Sequence, residues 1–151
     1  MMSRMKQMWL GLALLSFLPF ASIEAASKVD KNPAQTTDWT SVMEAIIEVE
    51  SHGNAAAKSG NSVGAMQITP ILVKECNQIL QKRGKKQRYT LQDRLSVQKS
   101  KEMFLLIQSE RNADGNVERA IRAWNGGPRY SVKATNGYYR KVMRALAKLE
   151  K

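Results

Sequence analysis

The sequence predicts a single, mainly α-helical domain, and three observations support this fold class. Most segments after residue 36 repeat their apolar side chains every three or four residues, as one buried face of a helix requires. Few segments alternate apolar and polar residues as half-buried strands do. The chain has 151 residues, which is the length of one domain rather than two. We therefore expect one helical body with at most a minimal β element.

The first 25 residues have the organisation of a secretory signal peptide. Arg4 and Lys6 give a positive start, and the apolar run from Trp9 to Phe20 is short for a membrane span. Small residues precede a cleavage site after Ala25. A retained anchor is the alternative, but with cleavage we expect export and no stable membrane span. The predicted organisation is a signal peptide over 1–25, a flexible polar leader over 26–36 and the helical domain over 37–151.

The first helix of the domain is predicted to begin near Thr37 or Asp38 and to stop at Gly53. Threonine and aspartate are both good N-caps, and glycine suits the left-handed conformation that ends many helices. The next segment, AAAKSGNSVGAMQIT, is rich in small residues. It predicts a loop or a minimal β element directly after the first helix.

Two capping patterns place the next helices. Thr69 followed by Pro70 predicts the start of a second helix, which ends before Gly84, because proline fits the first helical position. Thr90, with an aspartate three residues later, predicts a capped short turn. Ser96 is then the N-cap of a longer third helix.

Turn residues separate the last two helices. The turn Asn112–Gly115 precedes a fourth helix, which ends at Gly126–Pro128. The last helix is predicted from about Asn136 to the C-terminus. Its apolar face is predicted to comprise Tyr138, Val142, Met143, Leu146 and Leu149.

Charge and cysteine content limit the functions that fit the chain. The formal net charge is +11, which favours polyanionic partners. For an exported protein these are peptidoglycan, acidic wall polymers or lipid headgroups, and nucleic acid is not expected. Cys76 is the only cysteine and His52 the only histidine. No internal disulfide can form, and no metal or other cofactor is predicted because the sequence has no His/Cys cluster.

Glu50 is the most informative single residue. It follows Ile46 by four residues and Ile47 by three, so it shares their apolar face, whereas Glu44 and Glu48 fall on another face. Burial and the nearby helix C-terminus both raise the pKa of a carboxyl group. A glutamic acid that stays protonated can donate the proton that glycosidic cleavage requires. The alternative from periodicity alone is a solvated glutamate at a helix boundary.

Four motifs in order extend this interpretation. They are Ala45–Asn54 (AIIEVESHGN), Gly64–Pro70 (GAMQITP), Ala123–Pro128 (AWNGGP) and Tyr138–Val142 (YYRKV). Together they resemble the signatures of lytic transglycosylases of the goose-type-lysozyme-like group, over about residues 40 to 146. The resemblance implies a lysozyme-like fold and cleavage of peptidoglycan glycan strands.

The resemblance also implies roles for individual residues. Glu50 would be the catalytic acid and later the base. Ser59 would lie near it and bind an N-acetyl group or a reacting oxygen. Tyr138 would donate a hydrogen bond to Glu50 and help to hold its protonation state. Met66 and Trp124 can equally be core residues. The implied substrate-binding residues are Ser59, Met66, Gln67, Trp124, Asn125 and Tyr138.

The sequence departs from the family pattern at three places. Ala65 stands where leucine is usual, and Trp124 replaces a tyrosine, which removes a hydroxyl group but keeps a stacking surface. The segment from Ser59 to Gly64 is one residue shorter than the common form.

Several activities remain open from the sequence. A lytic transglycosylase needs one carboxylate and forms a 1,6-anhydro end. A hydrolytic muramidase generally needs a second carboxylate to activate water, for which Asp93 and Asp114 are the candidates. A non-catalytic peptidoglycan-binding module is a third possibility, and a membrane-active basic helix over Tyr138–Lys151 is a fourth. We expect a monomer and leave other cell-envelope proteins open as partners.

Overall fold

The computed structural model describes residues 37–151, and the signal peptide and leader predicted from the sequence lie outside this range. The described part contains five α-helices, one 3-10 helix and a two-stranded hairpin, as the sequence predicted. In this part of the chain, no helix is both long and apolar enough for a membrane crossing. In chain order the elements are α1 (Trp39–Ser51), β1 (Lys58–Ser59), β2 (Ser62–Val63), α2 (Pro70–Lys82), the 3-10 helix (Leu91–Leu95), α3 (Val97–Arg111), α4 (Val117–Gly126) and α5 (Val132–Leu149).

The predicted starts of α1, α2, α3 and the short capped turn are confirmed by their caps. The side chains of Asp38, Thr69 and Ser96 each accept a hydrogen bond from a backbone N–H in the first turn of α1, α2 and α3 respectively. At the 3-10 helix, the carboxylate of Asp93 accepts the backbone N–H of Thr90 at 2.6 Å. These side chains satisfy amide groups that have no partner within the helix, which is why the chain turns into a helix at these positions.

The predicted start of α5 is wrong by about one turn. The helix begins at Val132, capped by Ser131, rather than near Asn136. In its first turn Val132 is 58% exposed and only Thr135 is buried. No apolar pattern in the sequence therefore marks the start of the helix. Leu149, which was predicted on the buried face, is 54% exposed at the other end of the helix.

The core is centred on aromatic contacts of α3. The ring of Phe104, which is fully buried, meets Trp39 of α1 edge-on at 5.7 Å and Trp124 of α4 at 5.2 Å between centroids. Aromatic pairs in such geometries add stability beyond the area that they bury. Because α5 packs against both α1 and α4, this core also sets the position of α5 relative to the end of α1.

A buried arginine joins α4 to α5. Arg122 is 4% exposed, and its Nε donates to Glu118 at 2.7 Å. Its Nη1 donates to the carbonyl oxygen of Val132 at 3.1 Å and to Oγ1 of Thr135 at 3.2 Å. The guanidinium also lies 4.3 Å from the ring centre of Tyr139, a cation–π distance. These contacts fix the first two turns of α5. Tyr138, the neighbour of Tyr139 in these turns, reaches the candidate site.

Candidate active site

Glu50 lies in the last turn of α1, half-buried, and meets a tyrosine from α5. The hydroxyl of Tyr138 donates to Oε1 of Glu50 at 2.8 Å. The two residues are 88 positions apart in sequence, so only the packing of α5 on α1 brings them together. The hydrogen bond that the resemblance implied is thus present.

The environment of Glu50 favours its protonated form. Burial raises the pKa of Glu50 above its ordinary value, and the hydrogen bond from Tyr138 lowers it by a smaller amount. A donated hydrogen bond stabilises the charged carboxylate, so Tyr138 opposes protonation. The role implied for Tyr138, to help hold the protonation state of Glu50, stays a prediction: burial favours the protonated form, and the hydrogen bond from Tyr138 partly offsets that effect. Burial and the adjacent carboxyl group also raise the pKa of Tyr138, which keeps its hydroxyl a donor.

Ser51, which sequence reasoning did not select, anchors the end of α1. Its hydroxyl donates to the carbonyl oxygen of Ala65 at 2.8 Å and lies 3.3 Å from that of Ile47. The helix ends at Ser51, and the next residue, His52, adopts a left-handed conformation with φ of 51°. This contact fastens the turn that carries Glu50 to the segment after the hairpin. The signal in the sequence was the serine that directly follows the glutamate in the family motif.

Two of the implied site residues, Ser59 and Gln67, lie in the hairpin after α1 and in the turn that follows it. Ser59 pairs with Ser62 across the two short strands and is exposed. Gln67 has φ of 51°, and its Nε2 donates to the carbonyl oxygens of Gly64 at 2.9 Å and Ala57 at 3.2 Å. Gln67, which the resemblance implied would line the sugar groove, thus uses its amide nitrogen to brace the loop.

The side chain of Met66 does not line a groove. It is fully buried in the core, because the turn after the hairpin directs it inward beside the α1 face. Its backbone carbonyl accepts the indole Nε1–H of Trp124 at 3.1 Å. The predicted sugar contact of Met66 is therefore corrected to a role in holding Trp124, which is half-buried against Phe104.

Trp124 and Asn125 line a groove of about 640 Å³ between α2, α3 and α4. Asn125 is exposed, and Ile71 at the rim is 78% exposed. Glu50 is not among the residues that line this groove. Four of the implied site residues therefore lie in two parts, the Glu50–Tyr138 pair and the groove of Trp124 and Asn125, which are connected through the backbone of Ala65–Met66.

The two candidate second carboxylates are engaged elsewhere. Asp93 caps the 3-10 helix, and Asp114 forms a two-point ion pair with Arg119 at 2.6 and 3.1 Å. Among the residues that the structure describes, burial and the hydrogen bond from Tyr138 account for the pKa shift of Glu50, and no charged group adds to it. Within residues 37–151, no group of three His, Cys, Asp or Glu side chains could hold a metal ion. Burial raises the pKa of the Cys76 thiol to about 12, which makes it a poor nucleophile.

The model of the transglycosylase SLT domain family matches residues 27–146. This range contains both members of the Glu50–Tyr138 pair. The chain belongs to the SLT transglycosylase family. Comparison with curated proteins and with solved structures gives no match. Membership of this family makes the helical domain a lysozyme-like SLT domain, and it indicates transglycosylase action on peptidoglycan in the cell envelope.

The position of Tyr138 in this SLT domain predicts a shift in the pH dependence of activity. Tyr138→Phe removes the hydrogen bond that favours the ionised carboxylate, so the pKa of Glu50 should rise further. The basic limb of the rate profile should move to higher pH, and the maximal rate should fall about tenfold because the carboxyl group loses its orientation. The measurement is the initial rate of strand cleavage from acid to alkaline pH. A basic limb that moves to lower pH would contradict this role of Tyr138.

The raised pKa of Glu50 also leads to a prediction of how the stability of the SLT domain varies with pH. Because burial raises its folded pKa above the ordinary value of 4.5, its contribution to stability is fully present below the unfolded pKa. That contribution is lost as the pH rises through the folded pKa. Glu50→Gln removes this titration. The melting temperature of the variant relative to the wild type should therefore increase from about pH 4 to about pH 7. If the difference in melting temperature between the variant and the wild type stayed constant across this pH range, Glu50 would have the same pKa in the folded and unfolded states.

Proposed function

We propose that this protein is an exported lytic transglycosylase that cleaves the β-1,4 bond between N-acetylmuramic acid and N-acetylglucosamine. The observation that carries the proposal is a half-buried Glu50 with a raised pKa, held by Tyr138, whose contacts within residues 37–151 include no second carboxylate. Export to the cell envelope rests on the signal-peptide pattern of residues 1–25.

In this mechanism Glu50 acts twice. Its carboxyl proton passes to the bridging oxygen as the bond from that oxygen to the muramoyl C1 breaks, which leaves an oxocarbenium-like sugar. The Glu50 carboxylate then takes the proton from the 6-hydroxyl of the same sugar while O6 bonds to C1. The product is a 1,6-anhydro ring, Glu50 is protonated again, and no water is consumed.

The surroundings of Glu50 suit both steps. Partial burial keeps the proton on the acid before cleavage. The hydroxyl of Tyr138 stabilises the carboxylate that exists between the two proton transfers. An inverting hydrolase instead needs a second carboxylate positioned to activate water, and the engagement of Asp93 and Asp114 elsewhere favours the lyase.

The test is mass spectrometry of the soluble products from purified peptidoglycan. The protein is used without residues 1–25, beside the same form carrying Glu50→Gln. We expect anhydro-muropeptides from the wild type alone. Hydrated reducing ends would identify a muramidase instead. A folded protein that sediments with the wall and releases nothing would be a binding module.

A further inference from the structure

One face of α5 carries an unbalanced positive charge. The 18 residues of the helix, VKATNGYYRKVMRALAKL, include five lysines and arginines and no carboxylate. All five cations are exposed, and none takes part in an ion pair within residues 37–151. The ion pairs of the described chain all lie on α1 to α4 and their loops. α5 therefore carries five of the unpaired cations of the described residues with no acidic residue among them.

The cations form a continuous row. Arg140, Arg144 and Lys148 follow one another at four residues, and Lys133 precedes Arg140 by seven, so the four share one side of the helix. That side is opposite the fully buried Val142. At 1.5 Å per residue the row is about 22 Å long, with charges about 6 Å apart over its second half. We call these four residues the α5 basic row.

The surroundings of the α5 basic row favour a hydrated polyanion over a bilayer. Membrane-surface helices place large apolar side chains beside their cations. Here the position between Lys133 and Arg140 is Gly137, and the two large exposed apolar residues, Val132 and Leu149, are at the two ends of the helix, outside the row.

Two acidic residues face the α5 basic row across a groove and are already engaged, whereas Glu150, the C-cap of the helix, forms no ion pair within residues 37–151. A groove separates Arg144 and Lys148 from Glu44 and Glu48 on α1. Glu44 pairs with Lys101, and the carboxylate of Glu48 lies 3.0 Å from the imidazole of His52. The row thus keeps its charge for a partner outside the domain.

We infer that the α5 basic row holds the enzyme on its polymeric substrate by binding the carboxylates of the peptide stems along peptidoglycan strands. This inference takes the identity of the polymer from the proposed function. The row lies away from the Tyr138 side of α5, so the strand regions that it binds differ from the bond being cut. It acts as a retention surface that keeps the domain on an insoluble wall between cleavage events.

The test is co-sedimentation with purified peptidoglycan freed of attached polymers, using the protein without residues 1–25 in a Glu50→Gln background so that strands stay intact. The row variant is Arg140→Gln, Arg144→Gln, Lys148→Gln. The control, Lys74→Gln, Lys85→Gln, Lys86→Gln, removes the same charge from exposed positions in and after α2. If each row cation contributes a factor of about two, as exposed charges do, the row variant should bind roughly tenfold more weakly.

Three outcomes decide the inference. The control should bind as the parent does, and both amidation of the wall carboxyl groups and salt well above about 0.15 M should abolish the difference between the variants. Equal binding by the row and control variants would overturn the inference. Row-dependent flotation with phosphatidylglycerol vesicles, without row-dependent wall binding, would overturn it in favour of a membrane. The product assay on the wild type tests the proposed function separately from this binding test. If no anhydro product formed but binding still depended on the row, the proposed function would fail and the binding role of the row would stand.

Discussion

We expect Glu50→Gln to lower the rate of strand cleavage by about a thousandfold, the scale of a lost general acid. Glutamine has nearly the same shape and can still accept the hydroxyl of Tyr138, so the end of α1 should keep its structure. It has no acidic proton for the bridging oxygen and no carboxylate to receive the proton of the 6-hydroxyl. The measurement is the initial rate of anhydro-muropeptide release, with circular dichroism to verify the fold.

The matched control for this prediction is Glu48→Gln. Glu48 lies on the same helix, its side chain is 61% exposed, and its polar contact is with His52. The same chemical change should leave the cleavage rate close to that of the wild type. If both variants lost activity equally, or if Glu50→Gln kept its rate, Glu50 would not be the acid.

The helix boundaries were predictable where short-range chemistry sets them. Asp38, Thr69 and Ser96 cap their helices through contacts within the first turn, so the information is local in sequence. The start of α5 was missed because Ser131 caps a turn whose first residue, Val132, faces solvent. A prediction based on apolar periodicity finds a helix only where that helix begins to bury side chains.

The candidate site was predictable only in part, since its contacts are long-range. Periodicity placed Glu50 on the apolar face of α1, but its meeting with Tyr138 across 88 positions came from the family resemblance. The resemblance could not show that Met66 points into the core or that Gln67 braces the loop. Nor could it show that burial outweighs the hydrogen bond from Tyr138 in setting the pKa of Glu50. These outcomes depend on side-chain direction and burial, which a motif does not encode.

The loop that supports Glu50 depends on one glycine. Gly64 has φ of 87°, and a Cβ added there would lie 1.8 Å from the carbonyl oxygen of Arg94. Arg94 in turn donates from Nη1 to the carbonyl oxygens of Asn61 at 3.1 Å and Ile68 at 3.3 Å, which clamps the hairpin onto the 3-10 helix. The residue after Gly64 is Ala65, whose carbonyl holds Ser51. Close backbone packing at this glycine therefore sets the position of the α1 terminus.

We expect Gly64→Ala to destabilise the domain by about 3 kcal/mol, because a left-handed conformation with a Cβ costs about 1–2 kcal/mol and the backbone clash adds to it. Urea unfolding followed by circular dichroism measures this loss. Gly60→Ala is the matched control: its φ is 56°, but nothing lies within 4 Å of the added Cβ. Only the conformational cost of about 1 kcal/mol applies there. Equal losses in the two variants would mean that the contact with Arg94 relaxes freely, and that another feature holds the end of α1 in place.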